Sequence, residues 1–260
     1  AGDFTGQAVE HDALGEICRK NGLVLIEDAA HAIGTKYRGR PVGSIADMTC
    51  FSFHPVKTVT GGEGGAITTN DRDTYRRLLR LRTHGITRNI EEMAHPDDAK
   101  WYNEQVELGY NYRMTDFQAA LLLSQLSKLP RFGARRKEIV EKYDRAFSEM
   151  PELVVQREIP ESDTTRHLYI LRLNLSKLTC TRRQFFDALY EENTCPQVHY
   201  LPVYWHSYYE KLGYEKGLCP QAEKFYEEVM SIPLYYGLTD EDVEDVVRAV
   251  KKVTAFYRKG

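Results

Sequence analysis

The run LVLIED (Leu23–Asp28) constrains the fold more than any other stretch of the chain. A short, continuous apolar run ending in acid reads as a strand buried on both faces, the pattern of a parallel sheet. Just before it, Leu14, Ile17 and Cys18 recur at helical spacing between Glu10 and Asn21, and Gly22 supplies a C-terminal stop. A helix joined through glycine to such a strand is a unit of an α/β sheet. Asp28, at the strand's C-terminal end, then stands where open α/β sheets bind ligands. Taken alone, Asp28 reads more readily as a helix cap or turn residue. His31 is ambiguous too, between a structural and a functional histidine.

Further elements follow in order. Tyr37–Val42, with Arg38-Gly39-Arg40 at its centre, predicts a hairpin, and MTCFSF and GAITTN predict two strands around the glycine-rich TGGEGG. DRDTYRRLLRLRTHG predicts a basic amphipathic helix ending at Gly85, followed by a long polar loop over residues 86–107. Thr115 can cap the helix DFQAALLLSQLSKL, whose broad apolar surface predicts burial. Pro130 is expected to break it before a long helix over residues 135–149. Beyond Met150-Pro151 come an expected strand (HLYILRL), a helix opened by Thr181, a strand (QVHY), a helix (QAEKFYEEVM), a short SIPL strand and a last helix from Thr239. The expected organisation is a partial large sheet domain over residues 1–130, a connecting helix over 131–150 and a smaller α+β domain over 151–260. Because AGDFTGQAV leads almost at once into a helix, the chain is expected to begin inside a domain.

Charge excludes some partners. With 35 Lys plus Arg against 38 Asp plus Glu, the net charge is −3, which gives no reason to expect nucleic acid or an anionic membrane. Arg76, Arg77, Arg80 and Arg82 leave a nucleic-acid reading open, but a solvated helix face is the commoner meaning of such a run. No apolar run reaches the roughly 20 residues of a membrane helix. The five scattered cysteines, without CxxC spacing, fit thiols in a reducing cytoplasm. No metal is expected, since His31, His54, His84 and Asp28 lack helix-ligand spacing.

The stretch FSFHPVKTVTGGEGG (Phe51–Gly65) carries the chemistry. Pro55 interrupts regular structure before Lys57, and the glycines beyond let backbone approach a ligand closely. A lysine partly desolvated at a sheet edge has a lowered pKa and becomes an amine nucleophile able to condense with an aldehyde. If the aldehyde is pyridoxal 5′-phosphate (PLP), the site also needs a carboxylate to keep the pyridine nitrogen protonated, and Asp28 is available. Ser52 offers a hydroxyl to the phosphate. The stretch lacks GxxxxGK[ST], and no GxSxG elbow occurs.

EDAAHAIG, FSFHPVK, GEGGAITTND, THG, ELGYNYRMTDFQAALLLSQL and QVHYLPVY, in that order, resemble the DegT/DnrJ/EryC1/StrS family of PLP-dependent sugar aminotransferases. The resemblance implies the α/β architecture of fold-type I PLP-dependent transferases, with a partial large-domain mixed sheet and a smaller C-terminal α+β domain. It also implies that family members begin well before the position matching Ala1, so that the N-terminal third is absent. By resemblance, Lys57 is the lysine that holds PLP covalently, Asp28 the partner of the pyridine nitrogen, and His31 the neighbour of the cofactor's phenolic oxygen. Ser52 contacts the phosphate, and Asn111 reaches the phosphate of a neighbouring subunit, which implies a homodimer with shared sites. His199 and Tyr200 are weaker candidates for the sugar site, with packing in their own domain as the alternative.

WYNEQVELGYNYRMTD, QVHYLPVYWHSYYEKLGY and SIPLYYGLTDED resemble the members that act in pseudaminic acid synthesis. These imply transfer of an amino group from glutamate to the C4 ketone of a UDP-linked 4-keto-6-deoxy sugar. The alternatives are another nucleotide sugar within the family, or a non-catalytic fragment unable to bind PLP.

Overall fold

Helix α1 (His11–Asn21) stops where glycine allows it to. Gly22 takes φ +62°, and Leu23 N–H turns back to the Cys18 carbonyl at 2.9 Å. In the computed structural model, which describes residues 1–260, the chain divides into two units. One comprises residues 1–4, 8–129 and 161–163, the other residues 5–7, 130–160 and 164–260.

The first unit is built on a three-stranded sheet. Strand β1 (Ile26–Asp28) runs parallel to β4 (Met48–Ser52), which pairs antiparallel with β5 (Gly65–Thr68). The register sets Asp28 opposite Cys50 and Ser52 opposite Gly65. On its other side β1 takes the backbone of the first residues: Asp28 N–H donates to the Ala1 carbonyl at 2.8 Å, and Asp3 N–H to the Asp28 carbonyl at 2.9 Å. The parallel pairing matches expectation, but β1 spans only three residues, and Leu23, Val24 and Ile26 are more than half exposed. An apolar run states what can be buried; covering it takes an element packed on that face.

Between these strands, β2 (Lys36–Tyr37) and β3 (Arg40–Pro41) form the expected hairpin. Its two turn residues, Arg38 and Gly39, have φ of 48° and 77°, the doubly left-handed turn that follows strand twist. Strand β9 (Ser162–Asp163) pairs with the outer edge of β2.

Helix α2 (Arg72–Leu81), capped by the Asp71 carboxylate on Thr74 N–H at 2.7 Å, ends before the expected Gly85. Residues 83–85 instead cross the segment 107–111: Thr83 bridges Asn111, and His84 N–H reaches the Tyr110 carbonyl at 2.7 Å. At Gly85, with φ +72°, a Cβ would lie 1.8 Å from the Glu107 carbonyl oxygen. Gly85→Ala is therefore expected to destabilise the first unit by at least about 1–3 kcal/mol, the range for strained backbone positions. Denaturant unfolding measures it. Two of the basic residues of α2 are paired locally, Arg80 holding Glu92 and Glu107 at 3.0 Å each and Arg77 holding Glu107 at 3.2 Å. The polar segment beyond Gly85 carries two short paired strands, β6 (Ile86–Thr87) and β7 (Glu104–Gln105).

Helix α3 (Asp116–Leu126) opens with a capping box made by Thr115 and Gln118. The expected burial does not follow. Only Leu122 is buried, while Phe117 is 90% and Leu123 71% exposed. The helix is apolar nearly all round, and one chain covers a single side of it.

In the second unit, Pro130 follows the expected break between helices, which falls at residues 127–128. It lies in the first turn of α4 (Leu129–Phe147), where its missing N–H has no intrahelical partner to lose. The antiparallel sheet has the order β11 (Val229–Ile232), β10 (Tyr169–Leu173), β8 (Leu153–Val155). Helices α5 (Arg182–Glu191), α6 (Ser207–Glu210), α7 (Pro220–Glu228) and α8 (Asp240–Tyr257) complete the unit. Its core joins Ile139, Tyr143 and Phe147 of α4 to Leu171, Phe185, Leu189, Met230 and Val250, all fully buried. Such side chains each stabilise the fold by about 1.5–3 kcal/mol.

Two expectations shift here. The α7 helix ends at Glu228 because Val229 and Met230 enter β11, where sheet pairing outweighs helical spacing. QVHY forms no strand, and its backbone pairing is the isolated Gln197–Ser231 bridge. The last helix begins as expected, with Thr239 and Asp242 forming a capping box. Thr239→Ala is expected to cost about 1 kcal/mol, visible as a lowered unfolding midpoint.

Candidate active site

Lys57 sits in a loop whose base is closed by backbone. Phe53 N–H donates to the Gly64 carbonyl at 2.8 Å, and Gly61 N–H donates to the Phe53 carbonyl at 3.0 Å. The Thr60 hydroxyl joins the same carbonyl at 3.0 Å, and Lys57 N–H donates to the His54 carbonyl at 3.0 Å. Phe53, Thr58 and Val59 are buried beneath the loop. Gly64 has φ +134°, and a Cβ there would come 2.9 Å from the Met114 Cε, so the loop needs glycine where it meets the segment leading into α3. His54 adds a side-chain tie across the loop, with Nδ1 accepting from Val56 N–H at 3.4 Å and Nε2 lying 3.8 Å from Glu63.

Three of the expected residues converge on the C-terminal ends of β1 and β4. Lys57 is half-buried. Burial pushes its ammonium below the usual lysine range, and the Asp28 carboxylate opposes that shift. Burial likewise raises the Cys50 thiol, and Asp28 raises it further. Asp28 thus acts electrostatically on both β4 and the Lys57 loop. It stands exposed at the strand end, with Oδ1 accepting from Ala30 N–H at 3.0 Å. Ser52 closes β4, and its Oγ accepts from His54 N–H at 3.4 Å. His31 follows β1, its ring 6.0 Å from that of Phe4.

The remaining candidates lie elsewhere. Asn111, exposed, belongs to the crossing with Thr83 in the first unit. His199 and Tyr200 belong to the second unit, where His199 Nδ1 is 2.6 Å from the Ser231 hydroxyl and the two rings meet edge-on at 4.6 Å.

The residues present fit PLP. An amine shifted toward its neutral form, a carboxylate acting on it from a strand end and a hydroxyl on the adjacent strand are the donor set such a group requires. Glu27, His11 and Asp3 were not singled out from the sequence. The signal was present in the adjacent acids Glu27-Asp28, since a strand points neighbours to opposite faces and one of two successive carboxylates must turn inward.

The sequence profile of the DegT/DnrJ/EryC1/StrS aminotransferase family matches residues 2–251. The chain belongs to that family. Among its relatives is the spore coat polysaccharide biosynthesis protein SpsC of Bacillus subtilis, 37% identical over 96% of this chain and 64% of its own length. A UDP-4-amino-4,6-dideoxy-N-acetyl-β-L-altrosamine transaminase of Campylobacter jejuni is 35% identical over 99% of this chain and 66% of its own length. The solved structure of Helicobacter pylori PseC, an aminotransferase involved in the biosynthesis of pseudoaminic acid, superposes with a TM-score of 0.90 at 30% identity. That match covers 98% of this chain and 66% of PseC. The fold is accordingly the fold-type I α/β architecture of these family members. The chain spans just under two thirds of the length of these curated relatives.

Proposed function

We propose that this protein is a PLP-dependent nucleotide-sugar aminotransferase. In this reading it moves an amino group from glutamate to the C4 ketone of a UDP-linked 4-keto-6-deoxy sugar, in pseudaminic acid synthesis. The observation that carries the reading is the half-buried Lys57, its ammonium pushed below the usual range beside the Asp28 carboxylate at the ends of β1 and β4.

When bound, PLP supplies an electron sink that lets a carbon beside nitrogen lose its proton. The chain's residues do the rest. The Lys57 amine would hold the cofactor and, when free, would take up and return a proton at the carbon beside nitrogen. Asp28 keeps a proton on the pyridine nitrogen. The Ser52 hydroxyl would donate to its phosphate, and His31 would stand beside its phenolic oxygen. Asn111 would reach the phosphate of a second copy's cofactor, and the reading includes a homodimer with shared sites. His199 and Tyr200 are the weaker candidates for contact with the sugar. The reading places the protein in the cytoplasm, with which five free cysteines agree.

A second reading keeps the chemistry and changes the sugar. SpsC, 37% identical, is named for polysaccharide biosynthesis, and that likeness supports a different sugar with equal weight. Amine transfer from glutamate to a panel of UDP- and dTDP-linked 4-keto sugars separates the two. Turnover confined to UDP-linked 4-keto-6-deoxy sugars supports the first; turnover of dTDP sugars alone overturns it.

A further inference from the structure

Asp3, His11, Glu27 and Thr49 come from four places in the chain and bury their polar ends together. Asp3 is 1% exposed, His11 2%, and Glu27 and Thr49 0%. His11, the first residue of α1, places Nε2 2.8 Å from Glu27 Oε1. The Thr49 hydroxyl, from β4, donates to Glu27 Oε2 at 2.7 Å. Asp3 Oδ1 accepts from Val9 N–H at 3.0 Å, whereas Asp3 Oδ2 finds no donor. What Asp3 does meet is the Glu27 carboxylate, within hydrogen-bonding reach. Two carboxyl groups can bond only if one proton lies between them.

The other ionisable groups around the cluster are accounted for. The Tyr37 ring of β2 packs edge-on against His11 at 5.2 Å, and its hydroxyl donates to Asp12 at 3.3 Å. Asp12 is in turn paired with Arg38 at 3.0 Å. None of these supplies a donor to Asp3 Oδ2.

The cluster is joined directly to the end of β1. Glu27 precedes Asp28 in the strand, on its opposite face, and Asp3 N–H donates to the Asp28 carbonyl. We propose that Asp3 and Glu27 share one proton and, with His11 and Thr49, form a positioning unit for Asp28. Loss of that proton sets two carboxylates against each other beneath the strand end and loosens it. The proposal rests on Asp28 facing the cofactor, as in the reading above.

The sign of the pH effect follows from the two acids. Burial, and then the Glu27 charge, push Asp3 up from its ordinary 3.8 to about 7. The folded protein therefore holds a proton that an unfolded chain has already lost. The associated stability is complete below about pH 4 and disappears as pH rises through about 7. For Glu27, burial alone would raise the carboxyl, but hydrogen bonds from His11 and Thr49 hold it below its usual range. Its contribution is present above pH 4.5 and is lost only in more acid solution. Of the two acids, Asp3 is the one whose contribution changes in the neutral window.

Two measurements on the full chain, from pH 5.5 to 8.5, test this: the unfolding midpoint without cofactor, and the apparent Kd for PLP. Asp3→Asn keeps a donor for Glu27 at every pH, and Glu27→Gln removes the opposing charge. In the parent protein the midpoint should fall, and PLP binding should weaken by up to about tenfold per pH unit, as pH passes 7. Asp3→Asn should abolish the difference in both profiles, and Glu27→Gln should move the step to lower pH. Midpoint profiles that run parallel in the parent and Asp3→Asn overturn the shared proton. A midpoint that responds while the Kd does not overturns the positioning of Asp28. Absence of PLP binding at any pH overturns the proposed function instead, while the midpoint profile still decides the shared proton.

Discussion

Lys57→Ala is expected to leave the protein folded and to lower amine transfer by at least about 10³-fold, within the span of removing a positioned acid–base group. The loop around Lys57 is closed by Phe53, Thr60, Gly61 and Gly64, through backbone groups and one threonine hydroxyl. Removing the lysine side chain leaves those bonds in place, so the unfolding free energy should change by no more than about 0.5 kcal/mol. Borohydride should fix PLP to the parent protein at Lys57, and mass spectrometry should find none on the variant. Lys57→Arg separates charge from chemistry. It keeps a cation beside Asp28 but cannot give up its proton, so it should be as inactive as the alanine variant. Retained transfer in either variant would remove Lys57 from the mechanism.

Features set by a few consecutive residues were readable from the sequence. Thr115, Thr181 and Thr239 each cap the helix they precede, because a cap is a bond between a side chain and a backbone three residues away. Gly22 and the Arg38-Gly39 turn follow from backbone sterics in the same way. The placing of Asp28 and Ser52 at strand ends, and of Lys57 in the loop after β4, was readable because these features are local too. Features that depend on what lies opposite were not. LVLIED has the composition of a buried strand, and FQAALLL that of a buried helix, yet most of each is exposed within its unit. Val229 and Met230 continue a helical pattern and enter β11, because pairing with β10 decides. The inward turn of Glu27 depends on His11 and Thr49, respectively 16 and 22 residues away in sequence, a relation that no local period encodes.

Asp28→Asn is expected to preserve the fold and lower amine transfer by about 10²–10³-fold, the effect of removing one preorganised electrostatic partner. Asparagine can keep the Ala30 N–H bond through its side-chain oxygen, and the two backbone bonds of residue 28 to Ala1 and Asp3 do not involve the side chain. What it loses is charge, and two neighbours should report that loss before any substrate is added. The Asp28 carboxylate raises Lys57, which burial has lowered, so its removal should bring the Lys57 amine to its neutral form at lower pH. It also adds to the rise that burial gives Cys50, so the same substitution should make that thiol ionise more readily. Acylation of Lys57 and alkylation of Cys50, each followed against pH in cofactor-free protein, should therefore both move to lower pH in Asp28→Asn. A fall in transfer without either shift would mean that Asp28 acts through structure. Both shifts with transfer intact would mean that its charge is felt at the site but unused by the reaction. Only the combined result places the carboxylate as the group that holds the proton on the cofactor's ring.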